Sequence, residues 1–150
     1  MGDKRHKIYP PLFMVGIKTF CWRCEARMSV ITLLAPKVEG AHGEICNLSE
    51  ITYLPKNILS FVQSRVPSFK LRRSKTTGSR HYANTCPKCG VLYGDWYLHS
   101  EPGAAFFPLN EDDAGLLYLK EIPVSNPVFI AAGLSFSTSY ELILKHANVI

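Results

Sequence analysis

An α+β domain with mostly β content is the fold class this sequence predicts, and three features predict it. Runs of β-branched, aromatic and apolar residues recur between proline and glycine punctuation, as strands and turns do. Helical spacing is confined to two short stretches, 55–65 and 140–146. Two Cys-x-x-Cys pairs, Cys21/Cys24 and Cys86/Cys89, stand 61 residues apart. A length of 150 residues and 47% apolar content fit one small domain with its own core.

In chain order, residues 1–11 read as a flexible basic N-terminal segment, and 12–150 as a single domain. Leu12–Phe20 is a strand, Cys21-Trp22-Arg23-Cys24 a turn, and Met28–Leu34 a second, strongly β-branched strand. Pro36–Asn47, with Gly40 and Gly43, reads as a loop. Ile51–Leu54 is a short strand. Pro55 then opens a helix over 55–65 with Ile58, Leu59, Phe61 and Val62 toward one face, and Pro67 ends it. Residues 68–80 are basic, with Thr77-Gly78-Ser79 as a turn, and His81–Thr85 leads into Cys86-Pro87-Lys88-Cys89-Gly90. Val91–His99 is a strand rich in Tyr and Trp, broken by Pro102-Gly103. Phe106-Phe107-Pro108 is an anchoring loop and Asn110–Asp113 an acidic turn. Leu116–Ile122 and Pro127–Phe136 are strands. Ser137-Thr138-Ser139 with Glu141 caps a short C-terminal helix over Tyr140–His146.

The cysteines carry the clearest chemistry. Five is an odd count, four of them lie in two CxxC pairs, and the start of the chain, charged and then broken by Pro10 and Pro11, has no export signal. A secreted disulfide framework uses an even number in a shorter chain, so metal is the better reading. Zinc takes four tetrahedral ligands and favours thiolate, and each CxxC turn offers two sulfurs from one tight loop. Cys21, Cys24, Cys86 and Cys89 are therefore the expected ligands of one structural Zn²⁺. Pro87 preshapes the second turn, and Gly90 suits a positive φ just after its last ligand. A redox dithiol, or two pairs with no shared site, are the competing readings. The first is disfavoured because neither pair precedes a helical pattern.

CPxCG together with a second CxxC resembles the zinc-ribbon proteins, here at Cys21-Trp22-Arg23-Cys24 and Cys86-Pro87-Lys88-Cys89-Gly90. More loosely, Tyr82-x-Asn84-x-Cys86-Pro87-x-Cys89-Gly90 followed by Gly94-Asp95 is similar to a group of small bacterial proteins. The resemblance covers roughly 18–35 and 80–98. It implies a zinc-held β substructure, split by a long insert at about 35–81, and no particular activity. Glu25 departs from the glycine usual in the first turn. On this reading the metal pins 12–34 to 82–98, and the insert emerges as an appendage.

Charge is distributed unevenly. Residues 51–94 hold eight Lys/Arg and no acid, whereas 95–150 hold seven acids against Lys120 and Lys145; the net charge is +5. Such a dipolar chain is not the uniformly basic type that binds nucleic acid non-specifically. Lys70, Arg72, Arg73, Lys75 and Arg80 are the candidate partner-binding residues. They suit an acidic protein partner, phosphates with Tyr82, Tyr93, Trp96 and Tyr97 as stacking surfaces, or no partner at all, as a solvated loop balancing the acidic C-terminal part. His42 and Cys46 could contribute to a second metal site, although a loop histidine and a small buried cysteine describe them better. Asp95, His99 and Glu101 share a face if extended, but nothing beside them supplies a nucleophile or an open metal, so a small enzyme is only an outlying reading. The expected function is a non-enzymatic adaptor or inhibitor, for which a bacterial immunity-type inhibitor fits the size and charge asymmetry. A nucleic-acid-binding accessory protein using 65–88 is the alternative. The expected location is cytoplasmic, with no membrane segment and no small-molecule substrate.

Overall fold

The computed structural model describes residues 5–73, 78–93 and 105–150. In chain order the strands are β1 (Arg5–Tyr9), β2 (Leu12–Phe20), β3 (Arg27–Ala35), β4 (Lys37–Val38), β5 (Cys46–Tyr53), β6 (Phe69–Arg73), β7 (Arg80–Thr85), β8 (Leu92–Tyr93), β9 (Tyr118–Ile122), β10 (Val128–Phe136) and β11 (Asn148–Val149). The helices are α1 (Lys56–Arg65), α2 (Glu111–Ala114) and α3 (Ser139–His146). The chain is a small single α+β domain, mostly β. No helix among the described residues is long and apolar enough to cross a membrane.

The main sheet runs β11-β9-β2-β3-β5-β10-β1-β4, antiparallel throughout except for the parallel β11–β9 pair. Alternation along the strands divides the core into two clusters, as a sheet covered on both faces requires. Leu12 and Met14 of β2 and Ile31 and Leu33 of β3 pack with Ile58 and Val62 of α1. Val15 of β2 and Val30 and Leu34 of β3 face the other way, onto Tyr140 and Ile143 of α3, with Phe106 buried among them. Pro55 is the N-cap residue of α1, one position outside the helix, and its carbonyl takes the first intrahelical bond, from Leu59 N–H at 3.0 Å. At the other end Val66, which precedes Pro67, leaves the helical region at φ −132°, ψ 79°, because a following proline ring disfavours the α conformation.

A second, three-stranded unit, β6-β7-β8, branches from the main sheet. Among the described residues, backbone pairing joins it only at Ile51–Tyr82. Asn84 supplies a further link. Its side chain accepts from Ile31 N–H (2.9 Å) and donates to Ile31 C=O (3.0 Å), doing for β3 what a neighbouring strand would do. That link falls just before β3 takes up β5, whose pairing begins at Leu33. Nearby, Thr32 donates to Asn47 Oδ1, so the buried polar groups at this junction satisfy one another.

Several expectations are corrected. Arg5–Tyr9 is not a flexible lead-in: it pairs with both β10 and β4, and the Arg5 guanidinium lies 4.7 Å from the centre of the Tyr53 ring. The 35–81 stretch is not an appendage, because β5 lies between β3 and β10 inside the main sheet. β5 begins at Cys46, within the expected loop, and the acidic turn is a one-turn helix, α2, capped by Asn110 accepting from Asp113 N–H at 2.9 Å. The N-cap residue of α3 is Thr138, which makes no side-chain cap bond; Ser137 before it accepts from Ser139 N–H at 3.1 Å. Of the expected strand Val91–His99, Leu92–Tyr93 is strand, and the portion beyond Tyr93 lies outside the described residues.

Candidate metal centre

Two hairpins deliver the four cysteines. β2 and β3 pair from Phe13–Leu34 to Phe20–Arg27, and residues 21–26 close that hairpin. β7 and β8 pair at Thr85–Leu92, and 86–91 close the second. The two turns have the same hydrogen-bond scheme. In the first, Cys21 N–H donates to Ala26 C=O (2.8 Å) and Glu25 N–H to Cys21 C=O (2.9 Å). In the second, Cys86 N–H donates to Val91 C=O (2.9 Å) and Gly90 N–H to Cys86 C=O (3.0 Å). Glu25 and Gly90 occupy equivalent places, with φ of 63° and 76°. Glu25 thus adopts the left-handed backbone that glycine takes in the second turn, at a strain of roughly 1–2 kcal/mol for a residue with a Cβ.

The sulfurs converge. Cys21 Sγ lies 3.6 Å from Cys89 Sγ, Cys24 Sγ lies 3.5 Å from Cys86 Sγ, and all four fall within 4.8 Å of one another. These separations exceed a disulfide bond of about 2.05 Å. They match the roughly 3.8 Å edge of a tetrahedron with zinc–sulfur bonds of about 2.3 Å. The donor set therefore fits a single tetrahedral thiophilic ion. Backbone N–H groups point at the sulfurs, from Arg23 (3.3 Å) and Cys24 (3.4 Å) to Cys21, and from Cys89 (3.5 Å) to Cys86. Cys21 and Cys86 are buried at the margin of the second core, beside Met28 and Val91, and Cys24 and Cys89 are more accessible.

The electrostatics are those of a shared site. The Cys89 N–H, helped by that of Lys88 and by the neighbouring thiols, outweighs burial and holds the Cys86 thiol down at about 6. Burial alone would raise Cys21, but the N–H groups of Cys24 and Arg23 and the Cys89 thiol bring it below the ordinary thiol range. At Cys89 the Val91 N–H lowers, but burial and the three other sulfurs push the thiol up to about 11. Four adjacent thiolates repel one another, so full ionisation requires a cation among them.

Other sequence candidates are dispersed. Arg72 is a brace: its guanidinium donates to Gly90 C=O at 2.8 Å and to Thr85 Oγ1 at 3.5 Å, tying β6 to the second turn. Lys70 and Arg73 are exposed on β6, and Arg73 lies directly opposite Arg80 on β7. Lys75, Trp96 and Tyr97, together with Asp95, His99 and Glu101, lie outside the described residues. Cys46 is buried in the first core, its thiol raised by burial and then by the Glu44 charge, while His42 sits in an exposed turn. Among the described residues no other group of three or more His, Cys, Asp or Glu gathers at metal-ligand spacing.

Sequence reasoning missed two features. One is the Asn84 clamp, which a single asparagine in a strand does not announce. The other is a groove beside the second turn, whose three cations, Lys18, Arg27 and Arg65, are scattered along the chain. The available signal was the change from apolar to cationic and aromatic residues at the even positions of β2 next to the first CxxC. No family model, curated protein or solved structure matches the chain.

Proposed function

We propose that this chain is a zinc-stabilised binding protein built on a split zinc ribbon, acting without catalysis on a protein partner as an adaptor or inhibitor. The observation that carries the reading is the four-sulfur cluster joining the β2–β3 and β7–β8 hairpins, between which Asn84 also bonds Ile31 and the Trp22 indole N–H donates to Leu92 C=O at 3.4 Å. Cys21, Cys24, Cys86 and Cys89 would hold the ion, which supplies a cross-link and neutralises thiolate charge. A shell of four protein ligands leaves no position for water or substrate, the arrangement of structural rather than catalytic zinc. The protein-partner half is supported by what surrounds the site. Phe20 and Trp22, which flank Cys21, are each 61% exposed, and aromatic side chains beside arginines are the usual anchors of protein interfaces.

Elemental analysis of purified protein is expected to give one zinc per chain, and affinity purification from the native host is expected to return one stoichiometric partner. Zinc-free protein with all five thiols titrating freely under native conditions would overturn the metal site. A partner-free purification under crosslinking would overturn the adaptor reading.

Nucleic acid is the second reading, favoured by one observation. Arg73 and Arg80 are directly opposed on paired strands, an arrangement that repels unless an anion lies over it. Retention on immobilised DNA or RNA at low salt, lost in Arg73→Glu, would favour it; no retention would remove it.

A further inference from the structure

Core packing on the α1 face of the sheet ends before the β2–β3 hairpin does. Past Met14 and Ile31 the same face of the two strands carries Lys18 and Phe20 on β2 and Ser29 and Arg27 on β3, in the cross-strand pairs Lys18–Ser29 and Phe20–Arg27. The opposite wall is the end of α1 and the turn after it, Arg65-Val66-Pro67, and Pro87 of the second cysteine turn closes one side. The resulting groove holds about 570 Å³, within the 300–1,000 Å³ typical of ligand sites.

Its chemistry is one-signed. Three cations line it and no acid does. Lys18 and Arg27 have no ion-pair partner among the described residues. Arg65 is held in place, stacked 3.7 Å from the centre of the Phe61 ring and donating to Phe61 C=O at 3.2 Å. Between the cations the lining mixes Phe20, Val66 and the two prolines with Thr19, Ser29 and Ser68. β3 adds an open edge. Both backbone groups of Ile31 point away from β2, into Asn84. Alternation directs those of Ser29 to the same edge, where among the described residues no strand pairs with β3. Alternating charge and apolar pockets beside unpaired strand groups suit an extended peptide better than a polynucleotide, which needs a longer cationic track and stacked bases.

We infer that this groove binds an extended acidic segment of a partner protein, with its carboxylates on Lys18, Arg27 and Arg65 and its apolar side chains on Phe20, Val66 and Pro67. The inference rests on the binding-protein reading above and places its contact surface beside the metal centre rather than on the basic β6–β7 hairpin.

The test is fluorescence anisotropy of zinc-loaded protein with a labelled octapeptide alternating glutamate and leucine, beside the same peptide with lysine for glutamate and an eight-nucleotide oligothymidylate. The glutamate peptide is expected to bind and the lysine peptide not to. Lys18→Glu and Arg27→Glu are each expected to weaken it about five- to tenfold, the loss of one close charge pair at a partly screened site. Both residues are exposed, so zinc content and thermal midpoint should stay at wild-type values and report a folded variant. Lys70→Glu with Arg73→Glu, on the β6–β7 hairpin and not part of the groove lining, should change affinity less than twofold. Equal loss in that control, equal binding of the lysine peptide, or preferential binding of oligothymidylate would overturn the inference. A host partner that is retained equally by Lys18→Glu/Arg27→Glu protein would overturn the groove and leave the adaptor reading standing. Absence of any partner alongside specific peptide binding would do the reverse.

Discussion

Replacing Asn84 with alanine removes two hydrogen bonds that tie Ile31 to the branch that carries half the metal site. Asn84 is 1% exposed and Ile31 2% exposed, and two hydrogen bonds of 2.9 and 3.0 Å join them. In Asn84→Ala both Ile31 backbone groups stay buried and lose their partners, at about 1–3 kcal/mol each. The expected loss is therefore about 2–6 kcal/mol, a large share of the 5–15 kcal/mol that stabilises a typical domain. At 2–4 °C per kcal/mol for a domain of this size, a loss of about 3 kcal/mol lowers the thermal midpoint by roughly 6–12 °C. β7 leads directly into Cys86, so zinc should also leave more readily. Urea unfolding in the presence of zinc measures the first effect, and competition with a chromophoric chelator the second. Asn84→Asp is expected to do no better at neutral pH, because its carboxylate keeps the acceptor for Ile31 N–H but faces Ile31 C=O without a proton. A loss below 1 kcal/mol in Asn84→Ala, with unchanged zinc retention, would show that the other links, the Ile51–Tyr82 pair, the metal site and core packing, dock the branch without Asn84.

Zinc retention should fall on acidification. Protons compete with the ion for the four thiolates, and the Cys86 thiol, held below the ordinary thiol range chiefly by the Cys89 N–H, keeps its contribution at higher pH and loses it on acidification; metal release followed from pH 8 downward checks the sign. Gly90→Ala places a Cβ in open space but on a left-handed backbone of φ 76°, so it should cost about 1 kcal/mol in urea unfolding through strain alone. Glu25→Gly should keep the first turn intact and stabilise it by up to about 1 kcal/mol, offset in part by the greater freedom of glycine in the unfolded chain. Gly16→Ala sets a Cβ 2.2 Å from the Tyr118 ring, which lies across β2, and should cost about 1–3 kcal/mol by displacing that ring. A wild-type thermal midpoint for Gly16→Ala would show the ring to be mobile.

The metal ligands were legible because CxxC is a local constraint. Both sulfurs of a pair come from one turn, and the turn's needs appear in adjacent residues such as Pro87 and Gly90. Glu25 was the misleading residue: it departs from the usual glycine, yet the turn it occupies has the same hydrogen bonds as its counterpart, because the strands on either side impose them. The basic stretch was legible as composition but not as placement. Arg72 is spent on the Gly90 carbonyl, and three cations from 18, 27 and 65 meet in one groove instead.

By itself the sequence determined the strands β2, β3, β9 and β10, the helices α1 and α3, and the four sulfurs, since each follows from side-chain alternation, helical spacing or residues within one turn. Only the tertiary structure decided that Arg5–Tyr9 is a strand, that β5 is threaded between β3 and β10, and that Asn84 stands in for a strand neighbour of β3. Those outcomes depend on hydrogen bonds between residues as far as 126 positions apart. Local residue patterns carry no record of which distant backbone will satisfy a given N–H or C=O.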